Sequence, residues 1–255
     1  MARFIILSGP ACVGKGPLMS AMEKFYPDLL ANMERVVLYN ERAPRPYERD
    51  GVDYHFRPRK KIDQIGQQDG FLTFEARGEL QCLELATLNK ALDAGRDVFF
   101  EGNTYLVEKL KSIGVLERFD TLKVFLSPLS KAEIEHLNGC DPAVDLKSFV
   151  ADIMRRKLLH RAAKWKGTLS LPDLQDVERR ATRALTEMSM AYQYDAVIAN
   201  HDGEGHDHWD AFYHPIGDAR RTMETFAGLL QGKRLHGRTE DWDKSLITRR
   251  MLDEL

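Results

Sequence analysis

The stretch Arg3-Phe4-Ile5-Ile6-Leu7-Ser8-Gly9-Pro10-Ala11-Cys12-Val13-Gly14-Lys15 decides the fold. Its opening apolar run, up to Ser8, predicts a buried parallel strand. The residues from Gly9 to Lys15 satisfy the pattern G-x-x-x-x-G-K, and a helix is expected to follow over about Lys15 to Phe25. A strand, a glycine-containing loop and a helix in this order are typical of α/β phosphate-binding units.

The segment Gly9–Lys15, called the phosphate loop below, is expected to bind ATP. Its glycines let the backbone curl so that successive N–H groups face one anion, and the helix N-terminus adds positive potential. Lys15 can then reach the outer phosphates, whereas the alternative is an ordinary turn with a surface lysine. The predicted ATP-binding residues are Gly9, Pro10, Ala11, Cys12, Val13, Gly14, Lys15 and Gly16.

The two residues after Lys15 depart from the usual pattern, because Gly16 stands where a Ser or Thr hydroxyl normally holds magnesium. Pro17 follows and has no backbone N–H for a phosphate. We therefore expect Mg²⁺ to arrive with ATP and to be held through water and the nucleotide's own phosphates. Which protein groups act as metal ligands is left open.

Further apolar runs alternate with helical patterns, which favours a central parallel sheet with flanking helices, the P-loop NTPase fold of the α/β class. The strands are predicted at Val36–Tyr39, Val98–Phe100, Leu122–Leu126 and Ala196–Ala199, and the main helical patterns at Leu80–Leu92 and Val177–Met190. Two stretches interrupt this alternation: residues 40–78, predicted as an inserted acceptor-binding subdomain, and residues 139–172, predicted as a basic helical lid. Together we expect one catalytic domain over residues 1–232 and a polar tail over 233–255.

Composition limits the possible partners. The chain has 255 residues with 37 Lys and Arg against 39 Asp and Glu, so its net charge of −2 provides no global attraction for nucleic acid or an anionic membrane. The three cysteines are widely spaced and lack metal-ligand spacing, which suits reduced thiols in a cytoplasmic protein. The apolar run Phe4 to Leu7 is too short for a signal-peptide core or a membrane span. We expect a monomer or a homodimer.

A second phosphate site is predicted by the segment Arg42-Ala43-Pro44-Arg45-Pro46-Tyr47-Glu48-Arg49-Asp50-Gly51-Val52-Asp53-Tyr54-His55-Phe56. Its two leading arginines are three residues apart and stiffened by prolines, as in a preformed cradle for a phosphate group. The alternative is a solvated basic loop. The segment closely resembles the guanylate kinase pattern R-x-P-R-x-G-E-x-x-G-x-x-Y-x-F, with Tyr47 where that family usually has glycine.

A second segment resembles the same family. The residues from Glu187 and from Tyr194 to Asp202 are similar to its final helix, its Y-D turn and its last strand ending in N-D-D. The resemblance spans roughly residues 3 to 230 and implies transfer of the terminal phosphoryl group of ATP to GMP. It implies that Arg42, Arg45 and Tyr54 bind the phosphate of the nucleoside monophosphate, and that Lys15 and Arg180 act on the transferring group. A solvent-facing position on an amphipathic helix is the alternative for Arg180.

The resemblance weakens where the base would be recognised. Guanine needs a carboxylate acceptor, and the family position for it is Thr73 here, with Glu75 two residues on and on the same strand face. Glu75 is therefore predicted as a substitute. Glu101 ends a predicted strand and is a second acceptor-side candidate, although it could instead cap the next helix, and Asn103 lies near another family carboxylate position.

The lid and a run of histidines contain the remaining candidate site residues. Arg156 and Arg161 are the lid residues predicted to act on the phosphates. The run His206-Asp207-His208 suggests a metal, but a solvated loop is expected because no partner with defined spacing accompanies it.

Three functions remain open. They are a guanylate kinase, a kinase of the same fold with another nucleotide or a sugar phosphate as acceptor, and a binding module that has lost transfer. The altered base pocket motivates the second, and Gly16-Pro17 gives some support to the third.

Overall fold

A computed structural model describes residues 2–44, 48–142 and 144–247. The secondary-structure elements are β1 (Arg3–Ser8), α1 (Lys15–Phe25), α2 (Pro27–Leu30), β2 (Met33–Arg35), β3 (Tyr39–Asn40), β4 (His55–Phe56), α3 (Arg59–Gly66), β5 (Phe71–Ala76), β6 (Glu79–Glu84), α4 (Leu85–Asp93), β7 (Asp97–Gly102), α5 (Thr104–Ser112), β8 (Asp120–Ser127), α6 (Lys131–Asn138), α7 (Leu146–Lys166), α8 (Leu171–Thr182), α9 (Ala184–Met188), β9 (Ala196–Ala199) and α10 (Gly217–Leu230).

The parallel sheet has the strand order β2-β7-β1-β8-β9, and helices follow its strands along the chain. Parallel pairing places Met33 opposite Asp97 in β2 and β7, and Val124 opposite Ala196 in β8 and β9. The side chains of β1 from Phe4 to Leu7 are fully buried, as a strand covered on both faces requires. The predicted α/β class with a central parallel sheet is therefore confirmed.

The chain divides into two compact units. The first, called the acceptor unit, comprises the residues up to 6 and 32–122, and the second, called the loop unit, comprises 7–31 and the residues from 123 onward. The cut passes through β1 and β8, which contribute residues to both. Among the described residues, no helix combines the length and the apolar character needed to cross a membrane.

The acceptor unit carries a second sheet in the order β4-β3-β6-β5. Its β5–β6 hairpin turns at Arg77 and Gly78, whose φ angles of 56° and 84° both lie in the left-handed region that tight hairpin turns need. Helix α3 covers this sheet, and its Ile62 is buried against Leu80 and Cys82. The insertion predicted over residues 40–78 thus contributes strands and a helix to this unit.

One strand prediction and one helix prediction in this unit are wrong. The run Val36–Tyr39 is not one strand, because β2 ends at Arg35 and β3 begins at Tyr39. The Val36 amide still donates to the Phe99 carbonyl, so the chain leaves the parallel sheet here and enters the second one. Of the helix predicted over Leu80–Leu92, the first half is strand β6, because hairpin pairing with β5 overrides the local apolar pattern.

The predictions for β1, which both units share, and for α1 of the loop unit are confirmed at both ends of each element. The pattern predicted as one helix over Val177–Met190 is two helices, since α8 ends at Thr182 and α9 begins at Ala184. Helix α7 buries Val150, Met154 and Leu158 and packs against α8 and α9. The residues after α10 also pack on this unit, where Trp242 is buried and Glu240 pairs with Val197 of β9.

Candidate functional site: the phosphate loop, the lid and the acceptor arginines

The phosphate loop adopts a backbone conformation that its glycines make possible. Gly9 and Gly14 have φ angles of 150° and 104°. A Cβ atom on Gly9 would lie 2.4 Å from the Leu126 carbonyl oxygen, and one on Gly14 would lie 2.5 Å from Nδ2 of Asn200. Both positions therefore exclude a side chain. The sequence interpretation of G-x-x-x-x-G as a tightly curled loop agrees with this geometry.

Lys15 is the first residue of α1 and is 7% exposed. Its ammonium group donates to the carbonyl oxygens of Gly9 at 2.9 Å and Pro10 at 2.8 Å. These bonds hold the lysine along the loop, with its charge compensated by backbone dipoles. The ammonium group thus lies against the backbone of the phosphate loop itself.

Cys12 is the other unusual loop residue, since its φ of 67° is left-handed for a residue with a side chain. Its thiol donates to the backbone oxygens of Lys157 and Glu204, and burial raises its pKa to about 12. The thiol is accordingly neutral and packs as a small apolar group.

The residues after Lys15 leave no direct magnesium ligand in the loop. A Cβ atom added to Gly16 would meet nothing within 4 Å, so the position has room for a hydroxyl that the sequence does not supply. Pro17 lies in the first turn of α1, where a missing N–H breaks no helical hydrogen bond. The loop side chains therefore do not fit Mg²⁺ as direct ligands.

Each arginine predicted to act from the lid side contacts a carboxylate. Arg180 on α8 is 9% exposed and lies 2.8 Å from Asp176. Burial raises the pKa of Asp176, but Arg180 and Arg179 lower it more strongly, so the net change in the pKa is a decrease. Arg161 on α7 contacts Glu204 at 2.5 Å and stacks over Trp165.

Arg156 is the outlier among these arginines. Its side chain is 73% exposed and pairs with Asp152 on the same helix, one turn away. An exposed pair of this kind contributes little to stability, so Arg156 is free to exchange its partner.

Sequence reasoning missed Lys157, which lies beside the phosphate loop. Its ammonium nitrogen is buried and has no hydrogen-bond partner among the described residues, and burial lowers its pKa. The side chain crosses Gly203, where an added Cβ would lie 3.0 Å from its Cδ. The only sequence signal for such a residue was the basic composition of α7. Which lysine becomes buried depends on tertiary packing, which the sequence pattern does not show.

In the acceptor unit, Arg42 is held in a dense set of contacts. Its guanidinium donates two bonds of 2.6 Å to Glu48, lies 3.8 Å from Glu79, and stacks on the rings of Tyr54 and Phe56. Burial lowers the pKa of Arg42, but the hydrogen bond and charge of Glu48 more than offset this, and the pKa is raised. Arg42 and Tyr54, predicted to bind one phosphate, are therefore brought together.

The other predicted acceptor residues are more dispersed. Arg45 lies outside the described residues. The carboxylate of Glu75 is 57% exposed and contacts Arg59 of α3 at 2.5 Å. Glu101, at the end of β7, contacts Arg35 at 3.2 Å. It does not cap α5, because Asn103 is the capping residue and accepts from the amides of Tyr105 and Leu106.

Three buried amide side chains in this unit were not predicted as site residues: Asn40, Gln81 and Asn103. Asn40 and Gln81 are paired across β3 and β6, and Asn103 donates to the Gln81 side-chain oxygen at 3.0 Å. Nδ2 of Asn40 has no hydrogen-bond partner within the part of the chain that the structure describes. Amides of this kind both donate and accept, which a set of carboxylates cannot do.

A cavity of about 210 Å³ lies elsewhere in the acceptor unit, between Arg35, Tyr39, His55, Glu84 and neighbouring apolar residues. It is smaller than the usual range for small-molecule sites, about 300–1,000 Å³. None of the predicted site residues in the described ranges lines it.

The histidine run predicted to be solvated is organised by a residue that the sequence did not single out. Asp202 is buried, and its carboxylate lies 3.4 Å from His206 Nδ1 and 2.9 Å from His208 Nδ1. The three side chains together form a cluster of metal-ligand type. The i to i+4 spacing of Asp202 and His206 was the available sequence signal.

Comparison with known proteins supports the sequence resemblance. The family model described as guanylate kinase matches residues 1–148. Among curated relatives, the guanylate kinase of Halalkalibacterium halodurans is 27% identical over 78% of this chain and 81% of its own length. That of Pseudomonas fluorescens is 27% identical over 90% of this chain and 89% of its own length.

A solved structure shares the fold. The guanylate kinase from Anaplasma phagocytophilum superposes with a TM-score of 0.56 at 17% identity, covering 99% of this chain and 94% of the other. The family model covers more than half of the chain, and its range includes both the phosphate loop and the acceptor arginines. The chain belongs to the guanylate kinase family.

Proposed function

We propose that this protein is an ATP-dependent nucleoside monophosphate kinase that transfers the terminal phosphoryl group of ATP to GMP. The observation that carries the proposal is the phosphate loop, in which a buried Lys15 lies along a backbone curl that opens α1. Family membership supports GMP as the acceptor, because the relatives described above are guanylate kinases.

On this proposal the loop amides and Lys15 bind the donor. Phosphoryl transfer passes through a loose transition state with charge spread over the phosphoryl oxygens, so catalysis consists mainly of positioning and charge neutralisation. Lys15 neutralises the outer phosphates. Arg180, Arg161 and Arg156 add positive charge from the lid side, after exchanging their present carboxylate contacts for phosphate oxygens. No side-chain nucleophile is required.

The acceptor phosphate binds at Arg42 and Tyr54, and Arg45 completes this site. Glu48 supports the proposal as an orienting residue, since its bidentate contact fixes the plane of the Arg42 guanidinium before any substrate binds. A fixed planar fork loses less conformational entropy when it binds a phosphate than a mobile lysine would.

Magnesium enters with ATP. The loop offers no side-chain oxygen for it at Gly16, so we propose that phosphate oxygens and water complete its coordination. No catalytic step is assigned to the ion.

One observation favours a second candidate, a kinase of the same fold with a different acceptor base. Thr73 stands at the expected base-reading position with its methyl group directed at Gly66, and the same unit buries the amide side chains of Asn40, Gln81 and Asn103. Glu75 remains the predicted carboxylate for guanine, although it contacts Arg59. A site rich in amides suits bases whose edges both donate and accept.

The test is a coupled assay of ADP formation with magnesium-ATP and, in turn, GMP, dGMP, AMP, CMP, UMP and ribose bisphosphate. Turnover of GMP well above all other acceptors supports guanylate kinase activity. Preferential turnover of another acceptor replaces it with the second candidate. Absence of turnover with every acceptor, together with no ATP binding, overturns the kinase proposal in favour of a binding module.

A further inference from the structure

The turn that follows β9 carries a cluster that phosphoryl transfer does not use. Asp202, His206 and His208 each offer one ligand atom, and these atoms lie within 4.8 Å of one another. Imidazole nitrogen and carboxylate oxygen are ligands that zinc and related first-row divalent cations prefer. The cluster belongs wholly to the loop unit.

The distances suit one small cation. In a tetrahedral zinc site with bonds of about 2.0–2.1 Å, neighbouring ligand atoms are about 3.3 Å apart. The carboxylate oxygens of Asp202 lie 3.4 Å from His206 Nδ1 and 2.9 Å from His208 Nδ1. His206 Nδ1 also accepts a 3.2 Å hydrogen bond from the His208 amide, which an ion bound at this nitrogen would replace. The two imidazole rings meet edge to face, with centroids 4.3 Å apart. Small adjustments of exposed rings therefore suffice to surround an ion.

The carboxylate is fixed before any metal arrives. Asp202 is 5% exposed, and its Oδ2 accepts a 2.9 Å hydrogen bond from the Ala219 amide in α10. Such support of a ligand by the surrounding backbone is typical of metal sites. The histidine side chains are 45% and 40% exposed, which leaves an entry path and room for water as a fourth ligand.

The turn itself is held on several sides. Trp209, which is 9% exposed, donates from its indole N–H to the Asp202 carbonyl oxygen at 3.0 Å. Lys164 donates to the Gly205 carbonyl oxygen at 3.2 Å and lies 3.5 Å from the Asp207 carboxylate. A preorganised turn loses little entropy when its ligands are fixed by an ion.

The same turn contacts the phosphate loop. Nδ2 of Asn200 donates to the carbonyl oxygens of both Val13 and Asp202 at 2.8 Å, and the Glu204 amide donates to the Cys12 carbonyl oxygen. Rigidity of the turn is therefore transmitted to the loop through a short chain of hydrogen bonds.

We infer that Asp202, His206 and His208 form a site for a zinc-class divalent cation that fastens this turn against the phosphate loop. The ion binds through one carboxylate and two imidazoles and acts structurally, since the cluster holds the turn rather than a substrate. A simple ion pair between a buried aspartate and two histidines is the competing explanation.

The test uses the full-length chain with any affinity tag removed, stripped with chelator and free of nucleotide, and titrated with Co²⁺ and then Zn²⁺. Wild type is expected to bind one equivalent, with the visible absorption of four-coordinate Co²⁺, and Zn²⁺ is expected to raise its thermal unfolding midpoint. The double variant His206→Gln/His208→Gln is expected to lose both effects. The single variant His208→Gln is expected to bind at least about tenfold more weakly, because even outer-shell partners of metal ligands are worth about 10- to 100-fold.

His236→Gln is the matched control, because His236 is exposed and lies outside the cluster. It is expected to bind like wild type. Circular dichroism establishes that each variant is folded. Binding of no stoichiometric metal by wild type, or equal binding by the folded double variant, would overturn the inference in favour of the ion pair. Neither result bears on kinase activity, which is measured separately.

Discussion

The phosphate loop and the acceptor arginine site, both proposed to bind phosphate, are built differently. In the loop, the proposed binding groups are backbone amides shaped by Gly9 and Gly14, and Lys15 donates to two backbone carbonyl oxygens. In the acceptor unit, Arg42 is gripped by the carboxylate of Glu48 and by aromatic rings. A backbone site is determined by a few adjacent residues, whereas a side-chain site depends on partners from distant segments.

The difference has an energetic side. The Arg42 and Glu48 side chains are only 14% and 7% exposed, so a phosphate that binds Arg42 meets an ion pair that is already largely desolvated. Lys15 donates to the neutral carbonyl oxygens of Gly9 and Pro10, which a phosphate on the loop would replace as its hydrogen-bond acceptors. The loop should therefore be the more sensitive of the two sites to loss of its one charge.

The largest expected effect is that of Lys15→Ala. Removing the cation that neutralises the outer phosphates is expected to lower kcat/KM at least about a thousandfold, in the range seen for electrostatic groups in phosphoryl transfer. Steady-state kinetics with varied ATP measures it. Lys24→Ala, which removes an exposed lysine from the same helix, should leave kcat/KM unchanged. Similar losses of kcat/KM in Lys15→Ala and Lys24→Ala would show that the effect comes from a disturbance of helix α1 and not from removal of the Lys15 charge.

The second effect concerns the thiol in the loop. Burial raises the pKa of Cys12 to about 12, far above that of an ordinary cysteine, so almost none of the thiol is ionised at pH 8. Because the raised pKa disfavours the thiolate, alkylation by iodoacetamide should stay slow until far above pH 8. Peptide mass spectrometry on native and urea-unfolded protein measures it, with the partly exposed Cys140 as internal reference. Native Cys12 reacting as fast as unfolded Cys12 would show that the loop opens readily.

In the acceptor unit, Arg42→Met is expected to raise the KM for the acceptor and to lower kcat/KM about a hundredfold. A bidentate charged contact is worth about 1.5–3 kcal/mol, which corresponds to roughly a ten- to hundredfold change. The KM for ATP should change little. Arg57→Ala is the control, because Arg57 pairs with Asp50 at the surface. An equal rise in the KM for ATP would remove the distinction between the two sites.

The smallest effect is expected from Gln81→Leu. It removes one of the buried amides proposed to suit the acceptor base and is expected to raise the acceptor KM about tenfold at most, since one hydrogen bond contributes about 0.5–1.5 kcal/mol. Acceptor and ATP kinetics are measured together. Gln64→Leu, at an exposed position on α3, is the control. No change in acceptor KM would exclude the buried amides from acceptor binding.

The sequence predicted the loop unit better than the acceptor unit, because the structure of the loop unit depends more on adjacent residues and less on partners from distant segments. The helix Lys15–Phe25 of the loop unit and the strand Arg3–Ser8, which the two units share, are encoded by adjacent residues, and both have the expected bounds. Residues 36–39 and 80–84 were assigned wrongly because their conformation depends on which sheet they join. Local periodicity carries no information about that choice.

The site residues follow the same rule. Lys15 and Arg42 were found through motifs of contiguous residues. The buried amides, Lys157 and the pairing of Asp202 with His206 and His208 were missed, because each depends on burial or on contacts between segments. The predicted roles of all these residues, including Lys15, Arg42, Arg45 and Tyr54 as well as Glu75, Glu101 and the lid arginines, stay predictions.

Direct transfer of label tests the central claim most simply. The protein is incubated with magnesium and ATP labelled in the γ-phosphate, together with GMP, and the nucleotides are separated by chromatography. Our assignment of donor and acceptor sites predicts that the label moves into GDP with wild-type protein and remains in ATP with Lys15→Ala. Label that stays in ATP or appears only as inorganic phosphate with wild-type protein would contradict it.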